Sequence, residues 1–151
     1  MRRARPWGDD TGTASLEFIT AGLVLLVPLV YLVLTMSAVQ GAAFAVEGAS
    51  RQAARVFVGA ATVAEAEEDA RRAVDFALAD YGLDPADAEM AISCRPDPGE
   101  CLTRRGFVTV EVSTNVTLPL VPPVLDLDVP LSVPLSSSAT QQVSRFWGAA
   151  P

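Results

Sequence analysis

The sequence predicts an α+β fold, in which a long N-terminal transmembrane helix extends into a small extracytoplasmic head of one helix and a short antiparallel sheet. Three observations predict it. No charged residue occurs between Phe18 and Val46. Residues 63–81 then repeat apolar side chains at helical spacing. Beyond Asp87 the apolar period changes to two, which is typical of strands.

The N-terminal part divides into a polar leader and a helix. Residues 1–12 are polar and are interpreted as a leader peptide. Residues 13–58 are predicted to form one transmembrane and extended helix. Its apolar stretch, Phe18–Val39, has 22 residues, enough to cross about 30 Å of hydrocarbon at roughly 1.5 Å per residue. Pro28 lies inside the stretch and is expected to kink the helix.

Small residues dominate the continuation of this helix. Gly41, Ala45 and Ala49 recur every four residues and form a stripe that permits close helix packing. The stripe is expected to contact either another helix or the protein's own head, and the second alternative is favoured. Glu47 and Arg51 are spaced for an ion pair on the helix surface.

Residues 59–151 are assigned to the head, which begins with a second helix. Thr62 is predicted to cap this helix, with Glu65 completing a capping box, and Gly82 is predicted to end it. The residues expected on its apolar face are Val63, Ala66, Ala70, Val74, Ala77, Leu78 and Tyr81.

Two strands are predicted next, joined as a hairpin. The residues expected on their apolar sides are Met90, Ile92 and Cys94 in the first strand and Val108, Val110 and Val112 in the second. The turn-forming segment between Cys94 and Cys101 would bring the two cysteines together. A disulfide is favoured over two free thiols, because an exported head meets an oxidising compartment.

The C-terminal part is rich in proline. Residues 119–130 are predicted to be irregular. Apolar residues alternate again from Val129 to Leu135, and the prolines among them restrict this segment to an edge strand or an extended arm. A last strand is expected from Thr140 to Phe146.

Charge and composition exclude several classes of function. The net charge is −7, and the acidic excess lies beyond the apolar run, whereas three arginines lie in the leader. This asymmetry favours a cytoplasmic leader and an external head, and the lack of a basic patch argues against nucleic acid. The sequence contains no histidine, no second cysteine pair and no phosphate-binding loop. No metal site, cofactor or enzymatic activity is therefore predicted.

A family resemblance is carried by two segments. The run Thr11–Phe18 (TGTASLEF), followed at once by a long apolar helix, resembles the processing site of type IV prepilins. More narrowly, it is similar to the TadE-like minor pilins, or pseudopilins, of tight-adherence (Flp-type) pilus systems. The Ala-rich segment Gly41–Arg55, which carries Glu and Arg, agrees with that family. The likeness covers about residues 11–58, and the chain is longer than the very short major Flp pilins.

The resemblance implies processing and assembly. A prepilin peptidase would cut after Gly12, so that Thr13 becomes the new N-terminus and Glu17 the fifth residue. Other pilins or pseudopilins, the membrane and the inner-membrane assembly platform are the further partners it implies. Glu17 would pair with its own amino group or, for assembly, with that of a neighbour, since a buried carboxylate needs a partner. The alternative is that Glu17 has no role in packing and lies at the level of the lipid headgroups as an acid at the start of the helix. Pro28 is either a kink used in assembly or a tolerated membrane proline.

Two other interpretations remain open. The small residues Ala43-Phe44-Ala45 would suit cleavage of a secretory signal and release of residues 46–151. Alternatively, the chain is a signal-anchored extracytoplasmic binding protein that is never processed.

Overall fold

The computed structural model describes residues 13–119 and 132–148, and over this part the fold is α+β. The leader and residues 120–131, which include Val129 and Leu131 of the alternating segment, lie outside the described residues. The elements in chain order are α1 (Thr13–Phe57), α2 (Val63–Ala79), a 3-10 helix (Pro85–Asp87), β1 (Ala88–Arg95), β2 (Phe107–Thr117) and β3 (Ser132–Gln142).

Helix α1 has 45 residues and is therefore about 68 Å long at roughly 1.5 Å per residue. It is continuous through Pro28, and the kink expected there stays a prediction. None of residues 14–41 is buried, whereas the stretch from Ala42 to Phe57 contributes to the core. We call residues 14–36 the bare half of α1 and residues 42–57 the packed half.

The stripe of small residues lies inside the protein's own head. Ala45 and Ala49 are buried, and a Cβ atom added to Gly41 would lie 3.9 Å from the ring of Tyr81. The packed half contacts α2 as well as β2 and β3. The favoured sequence interpretation, that the stripe packs against this chain's own head, is therefore confirmed.

The start of α2 follows the sequence prediction closely. The hydroxyl of Thr62 accepts a hydrogen bond from the backbone N–H of Glu65 at 3.2 Å. The carboxylate of Glu65 accepts from the N–H of Ala61 at 3.2 Å. In the usual capping box that carboxylate would accept from the cap residue itself, so the acid here satisfies a donor one residue earlier.

The end of α2 and its apolar face are also largely as predicted. Gly82 has a φ of +71°, and the N–H of Leu83 bonds to the carbonyl of Leu78 at 3.1 Å, as in a Schellman motif. The buried residues of α2 are Ala66, Ala70, Val74 and Leu78. Val63 and Tyr81 were expected on this face but are exposed, because they lie at the two ends of the helix where neighbouring elements do not cover them.

The three strands form an antiparallel sheet in the order β1-β2-β3. The predicted hairpin is confirmed: β1 and β2 pair so that Ile92 lies opposite Val110 and Cys94 opposite Val108. The alternate valines of β2 are buried. Because α1 packs against β2 and β3, the core lies between the helices and this face of the sheet.

The predicted disulfide is present. Cys94 and Cys101 are bonded, with their Cα atoms 5.1 Å apart. Cys94 lies near the end of β1 and is buried, and the bridge ties this strand to Cys101 in the connection that leads to β2.

The C-terminal strand differs from the prediction. A strand from Thr140 to Phe146 is wrong: β3 runs from Ser132 to Gln142, and residues 145–148 form a turn. Pairing of β3 with the full length of β2 determines this register. After the strand, the indole N–H of Trp147 donates to the carbonyl of Ala60 at 2.9 Å and attaches the C-terminal turn to the connection between the helices.

Candidate functional site

The bare half of α1 is the most unusual surface among the described residues. Its large apolar side chains project outward, and Phe18 is 80% exposed and Leu25 72%. In the described part of the chain, one helix is long and apolar enough to cross a membrane. Outward-facing leucine and valine over this length are costly in water, so burial of this surface against an apolar partner would be favourable.

The sequence-predicted processing residues lie where α1 begins. Gly12 is outside the described residues, and the helix starts at Thr13. Glu17 follows four residues later and is exposed. Residues four apart share one helix face, so Thr13 and Glu17 lie on the same side of α1, about 6 Å apart along the axis.

The first charged residues after the bare half lie on the surface of the packed half. Glu47 and Arg51 form the ion pair that the sequence predicts, at 2.5 Å, and both are solvent-accessible. Exposed pairs of this kind contribute at most about 1 kcal/mol. They are the first charged side chains after the uncharged run Phe18–Val46, and they lie on the solvent-accessible side of the packed half.

An open groove lies where α1 enters the head. It is lined by residues of α1, of the segment after α2 and of the end of β2: Ser37, Ala38, Gly41, Ala42, Tyr81, Gly82, Leu83, Asp84, Asp87 and Thr114–Thr117. Sequence reasoning missed this groove. The available signal was Tyr81, which falls at the end of an amphipathic helix, but only the tertiary fold brings it against Gly41.

Within residues 13–119 and 132–148, no cluster of three or more His, Cys, Asp or Glu side chains could hold a metal ion. The acidic side chains of α2 lie on its exposed face, and Arg72 pairs there with Glu68 and Asp69. These contacts have the geometry of a solvated helix surface.

No protein-family model, curated protein or solved structure matches this chain.

Proposed function

We propose that this chain is a pilin-like subunit that is cut after Gly12, anchored by α1 and assembled into a filament through its bare half. The observation that supports this is the bare half itself, an apolar helix that projects from a folded head and begins with one acid. Lipid would solvate this surface before assembly, and the helices of neighbouring subunits would replace lipid afterwards. Small contributions from many packed side chains would hold the filament together.

Glu17 would select the register between neighbouring helices. A carboxylate that enters an apolar environment needs a positive partner, and breaking such a buried pair costs roughly 3–5 kcal/mol. The amino group created at Thr13 would supply that partner. Subunits docked in any other register would leave both charges unpaired, so the pair acts mainly as a specificity device.

The likeness of residues 11–58 to TadE-like minor pilins supports the same proposal and suggests the partners. These are a prepilin peptidase, other pilins or pseudopilins, and an inner-membrane assembly platform. The N-terminus would lie in the cytoplasm and the head outside the cytoplasmic membrane. The Cys94–Cys101 disulfide supports this orientation, because disulfides persist in oxidising compartments.

The packing of α1 weakens the secreted-protein alternative. Cleavage after Ala45 would cut within a continuous helix and remove Ala42 and Ala45, both of which are buried in the head. Cleavage after Gly12 would keep every core residue of the described part of the chain. A signal-anchored protein that is never processed would keep the same fold and has to be separated by experiment.

The mature N-terminus decides among these alternatives. Mass spectrometry of the native protein is expected to give a chain that begins at Thr13. A chain that begins near Val46 would support the secreted protein. An intact Met1 or Arg2, together with absence of the protein from sheared surface filaments, would support the unprocessed anchor.

Substitution of the acid tests the assembly role. We expect Glu17→Gln to lower incorporation into sheared filaments by about tenfold or more, because a lost buried pair exceeds 1.4 kcal/mol. Glu47→Gln is the matched control, since it removes an acid of the same helix that pairs at the surface. Normal incorporation of Glu17→Gln would contradict the proposal.

A further inference from the structure

The length of the apolar run Phe18–Val39 leaves no spacer between the membrane and the head. From Phe18 to Val39 there are 22 residues, which span about 33 Å, against about 30 Å of hydrocarbon in a bilayer. The first buried residue of α1 is Ala42, only about 5 Å farther along the helix axis. The lower end of the head therefore lies at the level of the lipid headgroups.

An aromatic side chain lies at that level. Tyr81 is 55% exposed, and its ring lies beside Gly41, about 3 Å beyond Val39 along the helix. Tyrosine is enriched where membranes meet water, because its ring is apolar and its hydroxyl is polar. The position and exposure of Tyr81 both suit contact with the headgroup layer.

Two carboxylates limit how deeply the head can sink. Asp84 and Asp87 are exposed and line the same groove as Ser37 and Ala38 of α1. A charged side chain in the hydrocarbon costs roughly 2.5–3.5 kcal/mol even on the lower scales, so both acids must stay among headgroups or in water. The apolar run keeps the head from moving away from the bilayer, and these two acids keep it from entering the hydrocarbon.

We propose that Tyr81, Asp84 and Asp87, with Gly41 beside them, form a basal surface that docks the head on the headgroup layer of a phospholipid bilayer. This proposal rests on the membrane-spanning role of α1 given under Proposed function. Before assembly, α1 and the basal surface together fix the height and tilt of the head on the membrane. Departure from the membrane then exposes the basal surface.

Depth-dependent quenching of an indole tests the proposal. The full chain carrying Trp7→Phe, reconstituted in phosphatidylcholine vesicles, retains Trp147 as a reporter at the far end of the head. Adding Tyr81→Trp should give an indole whose fluorescence is quenched by a nitroxide on the lipid headgroup. A nitroxide near the end of the acyl chain should quench it less. Val63→Trp is the matched control, because it places an indole at the other end of α2, about 27 Å away. Neither the headgroup nitroxide nor the acyl-chain nitroxide should quench the fluorescence of the indole at position 63.

A third variant separates failure of this proposal from failure of the membrane span. Tyr31→Trp places an indole within the bare half, and the acyl-chain nitroxide should quench the fluorescence of this indole. If it does, while the indole at position 81 is as insensitive as that at position 63, the basal surface does not dock and the span still stands. If position 31 is also insensitive, the membrane-spanning role itself is wrong.

Discussion

The two halves of α1 belong to one helix but present opposite kinds of apolar surface. The bare half, residues 14–36, carries large leucine, valine and phenylalanine side chains on all sides, and most of them are exposed. The packed half, residues 42–57, buries mainly alanine, with Phe57 at its end. Small side chains let α1 approach α2 and the sheet closely, whereas large ones suit a partner that the monomer does not contain.

Hydrophobicity alone therefore does not distinguish a helix segment that packs in the core from one whose apolar side chains stay exposed. Both halves are apolar, and both belong to a single predicted segment. The difference lies in side-chain size and in the placement of charge: the packed half has charged residues on its outer face, such as Glu47 and Arg51, and the bare half has none after Glu17.

The largest expected effect contrasts two phenylalanines of α1. Phe57→Ala should lower the free energy of unfolding of the head by about 3–5 kcal/mol, because it empties a fully buried site. Phe44→Ala removes a ring that is 63% exposed and should change it by about 0.5 kcal/mol or less. Denaturant unfolding of the full chain in detergent measures both. Equal effects would mean that the two positions do not differ in burial.

A charge in the bare half should act on insertion rather than on folding. Leu26→Arg should oppose membrane integration by about 2.5–3.5 kcal/mol, measured as the fraction that resists extraction from membranes. Gln52→Arg, on the exposed side of the packed half, should leave that fraction unchanged. If Leu26→Arg instead destabilised the head and left insertion intact, the division between the two halves would be wrong.

A smaller effect is expected where α2 begins. Thr62→Ala removes the hydroxyl that accepts from Glu65 N–H and should cost about 1 kcal/mol. The measurement is the unfolding midpoint of the full chain, with Ser138→Ala, at an exposed position of β3, as a comparison. Membrane association should not change, since α2 supports only the packed half. A shift confined to a separate unfolding step would show that α2 folds independently of α1.

Local signals made much of the fold predictable. The cap at Thr62, the stop at Gly82 and the alternating valines of β2 depend on residues close in sequence, and each was found where the pattern placed it. The disulfide followed from a short turn-forming segment between Cys94 and Cys101. These features need little knowledge of the tertiary structure.

Features that depend on contacts between distant parts of the chain were harder to predict from the sequence. The extent of β3 depends on its register with β2, because its run of serines has little intrinsic preference for a strand. The exposure of Tyr81 depends on which elements reach the end of α2. The groove beside α1 joins three segments that are far apart in the chain, so helical and strand periodicity could not reveal it.

The continuity of α1 has a mechanical consequence. Because the bare half and part of the core belong to the same helix, no linker separates them, and a force applied to the bare half is transmitted directly into the head. The load then acts as shear along the alanine-lined contacts with α2 and the sheet, where many small interactions resist together. In the proposed filament, tension would therefore be borne by the folded heads.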